Sequence, residues 1–259
     1  MTVSRAARGP HRALDQEWFR RPRPVPEPRL RLVCFPHAGG AASFFRDWPQ
    51  WLPADIEVVA VCYPGREDRI ALPPVETMDE LADRIAEELV PALDRPLAFF
   101  GHSMGASVAH EVAMRIERRH GRVLSRLLVS SRSAPSRLRP NGISRESDEV
   151  LVADVMALGG TFSAALDHPD LRELLLPAIR ADYRLIDDYR PPAPLPRLAV
   201  PVTAVLGDRD PHVQEADMRA WAEVTEGDFG LRVRSGDHFY LLEQAPSLVA
   251  EVGRLLTSR

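Results

Sequence analysis

The chain of 259 residues contains no lysine, so every one of its 33 basic residues is arginine. That excludes Schiff-base chemistry on a lysine amine and a lysine-dependent phosphate cradle. With 37 acidic residues and a formal net charge of −4, the basic face that nucleic acid requires is not expected, and neither is a nucleic-acid partner. Cysteine is scarce. Cys34 and Cys62 both lie in apolar runs, which reads as buried thiols rather than a disulfide framework and fits a reducing cytoplasm. No stretch approaches 18 apolar residues, and the N-terminus has no apolar run of signal-peptide length. No membrane span and no membrane partner are therefore expected. These absences describe a soluble, cytoplasmic protein, expected to be a monomer.

What remains is enough for one large core: 45% of the residues are hydrophobic. Residues 1–28 are rich in Arg and Pro and predict a flexible arm. Residues 29–259 read as one domain. Short apolar runs at Leu30–Phe35, Ile56–Cys62, Pro96–Phe100, Leu124–Ser130, Val202–Leu206 and Leu231–Arg234 predict strands. Helical patterns separate them. Ala41–Trp51 predicts a short helix, Thr77 and Glu80 form a capping box, Ala106–His120 predicts a helix closed by Gly121, and Ser247–Leu256 predicts the last one. Alternating strands and helices imply a mostly parallel central sheet with helices on both faces. From about 133 to 190 the pattern is helical only, with Leu171, Leu174, Leu175 and Ile179 as an apolar stripe. An insertion of this kind is expected to be a lid over the site.

Gly101-His102-Ser103-Met104-Gly105 is the most telling segment. It reads G-x-S-x-G between a strand and a helix, where a tight turn forces the serine hydroxyl outward as a nucleophile. A serine needs a base. The order Ser, acid, His is present downstream, in Gly207-Asp208-Arg209-Asp210 and Gly236-Asp237-His238-Phe239. Both segments follow strands, at the sheet edge where such folds place their sites. His238 is the best-placed base. Asp210 is favoured as the acid over Asp208 and over Asp237, which adjoins the base, and the rejected carboxylate should brace its own loop. Two backbone N–H groups should meet the oxyanion, from Met104 and from the glycine-rich loop at Ala38. This is the site expected of an α/β-hydrolase fold.

The run Leu32–Gly40, then Ser43-Phe44-Phe45 and Trp48, resembles the opening of type II thioesterases. Tyr63–Glu67, Pro177–Tyr183 and the three blocks around Ser103, Asp210 and His238 are similar to the same family, in the same order. The resemblance spans about Leu30 to the C-terminus. It implies stand-alone enzymes that accompany polyketide and non-ribosomal peptide synthases. These remove stalled or wrong acyl groups from the phosphopantetheine arms of carrier proteins. It implies Ser103, His238 and Asp210 as the triad, Ala38 and Met104 as oxyanion donors, transient carrier-protein partners, and no metal or bound cofactor, since the pantetheine arrives with the substrate. Arg132, Arg137, Arg139 and Arg145 at the lid edge are expected to help dock an acidic carrier. The alternatives are a carboxylesterase or lipase on the same fold, a chain-releasing thioesterase, and a binding module without activity.

Overall fold

In the computed structural model, seven strands form one sheet in the order β1-β3-β2-β4-β5-β6-β7. The structure describes residues 14, 16–159 and 165–257. β2 (Leu30–Phe35), β3 (Ile56–Val61), β4 (Leu97–His102), β5 (Leu124–Ser130), β6 (Val202–Gly207) and β7 (Phe229–Arg234) all pair in parallel. Strands of a parallel sheet are covered on both faces, which is why β3, β4 and β6 are buried at every residue and read as continuous apolar runs.

One face is covered by α1 (Met78–Glu88) and α2 (Met104–His120), which set Leu81, Ile85, Val108, Val112 and Ile116 against Val33, Val59 and Phe99. Thr77 caps α1, its hydroxyl accepting the Glu80 N–H at 3.2 Å. Gly121 ends α2 at φ +75°. The other face is covered by residues 42–52 and by α7 (Ala245–Thr257), packed on Leu32, Val58 and Phe100. The expected single helix near residues 41–51 is two 3₁₀ turns, Ala42–Phe45 and Trp48–Gln50, with Pro49 opening the second.

The sheet begins earlier than the sequence suggested. Phe19–Arg20 forms β1, antiparallel to β3. Trp18 and Phe19 are buried, and the fully buried carboxylate of Glu57 accepts hydrogen bonds from Arg21 Nε and the Val25 N–H (both 2.9 Å) and from Arg31 Nε (3.0 Å). The expectation of an arm running to residue 28 is therefore corrected for residues 16–28, which are fastened to the domain. Residues 1–13 and 15 lie outside the described residues.

Between β5 and β6 the described residues contain no strand. They contain α3 (Asp148–Ala157) and α4 (Pro169–Asp188). These share a separate small core of Leu151, Val152, Val155, Leu166, Leu176, Ile179 and Tyr183. The expected stripe holds at Ile179 and, partly, at Leu175, and fails at its first two positions. Leu171 and Leu174 are 43% and 52% exposed, and the buried face of α4 runs through Leu176, Ile179 and Tyr183. Three consecutive leucines at 174–176 allow several helical phases. The hydrogen bonds of Asp182 and Tyr183 on the same helix select the one observed. Short helices α5 (Glu215–Arg219) and α6 (Tyr240–Glu243) follow β6 and β7. Among the described residues, no helix is long and apolar enough to cross a membrane.

Candidate active site

Ser103 stands between β4 and α2 at φ +53°, ψ −124°, a backbone conformation that side chains other than glycine rarely hold. Its N–H donates to Ser130 O at 2.8 Å and its carbonyl accepts the Ala106 N–H at 2.9 Å. The flanking glycines are there because of close approach. A Cβ on Gly101 would lie 2.2 Å from Gly105 O, and one on Gly105 would lie 2.1 Å from Phe35 O. Only bare backbone lets α2 start so near β2 and β4.

The loops after β6 and β7 bring Asp210 to His238. Nδ1 of His238 lies 2.8 Å from Asp210 Oδ2, and both side chains are almost wholly buried. The second oxygen of Asp210 accepts the N–H groups of His212 (3.0 Å) and Val213 (3.2 Å). Burial opposes the charge of Asp210. The hydrogen bond and charge of His238 and the backbone donor of His212 outweigh it, so the carboxyl titrates below its ordinary value. Asp208 faces elsewhere and accepts the Gly236 N–H at 2.8 Å. Asp237 accepts the Phe239 N–H at 2.8 Å. Both therefore brace the loop that carries His238: Asp237 from within it, and Asp208 from across the gap, where the sequence suggested that it would brace its own loop.

His238 Nε2 is buried and makes no hydrogen bond. It shares with Ser103 a cavity of about 210 Å³. The hydrogen bond between the two side chains is not formed in this state, as is common for serine–histidine pairs without substrate. Ala38 lines the same cavity. Met104 is the first residue of α2, where N–H groups have no partner within the helix. The helical insertion supplies Val155, Leu158, Tyr183 and Ile186 as an apolar wall. A larger groove of about 1050 Å³ lies between α1, α2 and α4, but none of these five candidate residues lines it.

Around His238, the rings of His37 and His102 stand edge to face, and His102 lies 5.1 Å from His238, centroid to centroid. Nδ1 of His102 is 2.9 Å from Ser130 Oγ, which is 2.8 Å from Tyr240 Oη. Burial lowers the pKa of His102 and brings that of His37 to about 3, the neighbouring His238 adding to both. Both rings are therefore neutral spacers. The two cysteines are remote from this chemistry: burial raises both thiols, that of Cys62 to about 11.

The four arginines do not form one free patch. Arg132 turns inward, its Nε donating to Ser107 Oγ at 3.0 Å. Arg145 pairs with Asp188, and Arg137 lies 3.9 Å from Glu223. Arg139 alone lines the cavity as an exposed side chain. Guanidinium groups took the nearest acceptors, and a sequence read along one strand of text does not show those. Sequence reasoning also missed the roles of Arg66 and Asp182. Both belong to blocks it quoted, and a buried Arg–Asp pair joins them.

A parallel sheet with a serine on the sharp turn after its central strand is the arrangement of the α/β-hydrolase fold. The thioesterase-domain family model matches residues 30–256. A relative named thioesterase PikA5, from Streptomyces venezuelae, is 41% identical over 246 residues, covering 93% of this chain and 86% of its own. The solved structure of the type II thioesterase BorB from the borrelidin biosynthetic cluster superposes with a TM-score of 0.82 at 41% identity, covering 93% of this chain and 96% of that one. YbtT, described as a type II thioesterase from the yersiniabactin NRPS/PKS pathway, gives 0.81 at 31% identity, covering 92% and 97%. The chain belongs to the thioesterase family, hydrolases that act on thioesters.

Proposed function

We propose that this protein is a type II editing thioesterase. It acts in the cytoplasm as a monomer and clears stalled or aberrant acyl groups from the phosphopantetheine arms of carrier proteins in polyketide or non-ribosomal peptide synthesis. The carrier is a transient partner. The pantetheine is part of the substrate, and the chemistry draws on no bound cofactor or metal. The observation that carries the reading is the convergence of Ser103 with the Asp210–His238 pair in one cavity walled by the helical insertion.

In this mechanism Ser103 Oγ attacks the thioester carbonyl while His238 Nε2 takes its proton. Asp210 holds the Nδ1 proton and stabilises the imidazolium that forms. The N–H groups of Ala38 and Met104 receive the carbonyl oxygen as it becomes negative. The C–S bond breaks, the proton passes from His238 to the departing sulfur, and an acyl-Ser103 ester remains. Water, deprotonated by His238, then attacks that ester, the acyl–Oγ bond breaks to release the free acid, and His238 passes the proton to Ser103 Oγ. The apolar wall from α3 and α4 receives the acyl chain, so the insertion serves as a lid. The thioesterase reading predicts a higher kcat/KM for acyl-pantetheine thioesters than for matched oxygen esters, with both lost in Ser103→Ala. A preference for the oxygen esters would instead make the protein a carboxylesterase.

A further inference from the structure

Two blocks of sequence take no part in the triad, yet they meet behind the loop that carries Ala38. Arg66 follows β3, and Asp182 projects from α4 of the insertion. Their side chains are only 5% and 7% exposed. The contact is two-pronged: Arg66 Nη1 donates to Asp182 Oδ2 at 2.8 Å and Nη2 to Oδ1 at 2.9 Å. Both partners also hold the glycine loop. Asp182 Oδ2 accepts the Gly39 N–H at 2.7 Å, and Arg66 Nη1 donates to Gly40 O at 3.0 Å. Tyr63, whose ring lies under the Arg66 guanidinium at 5.1 Å, donates its hydroxyl to Pro36 O at 3.3 Å.

The consequence falls on the peptide groups beside Ala38. Gly39 sits at φ +73°, inside a turn that the Gly40 N–H closes onto His37 O. The Gly39 N–H is taken by Asp182 and the Gly40 N–H by His37 O at 2.9 Å. Among the described residues the Ala38 N–H has no hydrogen-bond partner. A glycine pair has many conformations to choose from, and the ion pair fixes one of them from both ends. Because Asp182 belongs to α4, a displacement of that helix withdraws the acceptor from Gly39 and leaves the Arg66 charge buried without its carboxylate.

We propose that Arg66 and Asp182 are positioning residues that set the oxyanion hole, and that through them the seating of the lid helix α4 is coupled to catalytic competence. The inference rests on the reading of Ser103, Ala38 and Met104 given above. An empty or mis-seated insertion would then leave the nucleophile in place but the hole misaligned.

The test uses the full-length protein and four forms: wild type, Asp182→Asn, Asp182→Ala, and the double variant Arg66→Met/Asp182→Leu. The double variant removes both buried charges, so it carries the test if Asp182→Ala does not fold. Active sites are counted by end-point labelling with a fluorophosphonate. Then kcat and KM are measured per labelled site with a small acyl-pantetheine thioester. The dissociation constant is measured for an alkyl boronic acid, whose tetrahedral adduct on Ser103 puts an anionic oxygen in the hole. Expected is a fall in kcat of about 10- to 100-fold in Asp182→Ala and the double variant, with KM within about twofold and the boronic acid weakened by the same factor as kcat. Asp182→Asn keeps an acceptor for the Gly39 N–H and should recover part of the loss. Unchanged kcat per labelled site and unchanged boronic acid affinity, with only the unfolding midpoint lowered, would reduce the pair to a structural tie and overturn the proposal. A wild type that neither labels nor hydrolyses the thioester would overturn the underlying site assignment instead.

Discussion

Ser103 keeps its unfavourable backbone because its surroundings over-determine it: two glycines without Cβ atoms, a 2.8 Å hydrogen bond to Ser130 and the start of a buried helix. Strain of this kind costs about 1–3 kcal/mol and is retained where a reactive group must be presented. In the proposed mechanism Asp210 acts through the imidazole. In Asp210→Asn the amide can donate to Nδ1 and hold the wrong tautomer, so kcat should fall about 10³- to 10⁴-fold, measured with saturating thioester. Because the folded-state pKa of Asp210 is lowered, its carboxylate stays charged, and loss of activity through its protonation should begin only below about pH 4, the ordinary carboxylate range. Much of this site was legible in the sequence, since the order Ser, Asp, His and the flanking glycines are local features. The choice of Asp210 over Asp208 came from position in the loop, and the hydrogen bonds to His238 and Gly236 show why the two differ. Arg66 and Asp182 were not legible as a pair. Their contact joins residues far apart in the chain, and neither residue type signals its partner.

At the scale of elements, the fit between α2 and the sheet sets the nucleophile's position. Gly105→Ala would drive a methyl group into Phe35 O, backbone that cannot step aside as a flexible side chain can. Overpacking of this order should destabilise the fold by about 3 kcal/mol or more, read as a lower denaturation midpoint, and should also displace the loop that begins at Pro36. The strands were legible because burial on both faces writes them as unbroken apolar runs. β1 was not, being two residues long and anchored by Trp18, Phe19 and the distant carboxylate of Glu57. The phase of α4 was legible only in part, because neighbouring leucines compete and polar contacts decide. The helix near residue 45 broke into 3₁₀ turns where Pro49 and the packing of Phe45 and Trp48 on Phe100 shaped the chain more than periodicity did.

For the molecule as a whole, three buried histidines make stability depend on pH. Burial lowers the pKa of His37 to about 3 and of His110 to about 4, and lowers that of His102 as well. In the unfolded chain each imidazole titrates near 6.5. The stabilisation is therefore fully present above pH 6.5. It declines as the pH falls below that value, because the unfolded state takes up protons first, and it is lost as the pH passes down through the folded values. Between pH 7.5 and 5.5 each imidazole should account for about 1.4 kcal/mol of the decline. His110 packs against Trp221 and lies outside the proposed catalytic set. His110→Phe should flatten the pH dependence of urea unfolding by about that amount, and a curve as steep as that of the wild type would contradict the assignment.

The central claim concerns the acyl group on a carrier protein and the serine that removes it. Intact-mass spectrometry of an acylated carrier, incubated in parallel with wild type and with Ser103→Ala, reads both at once. The account predicts that the wild type returns the carrier to its free-thiol mass while Ser103→Ala leaves the acyl mass in place. An acyl group that survives the wild type, or one removed equally well by Ser103→Ala, would contradict it.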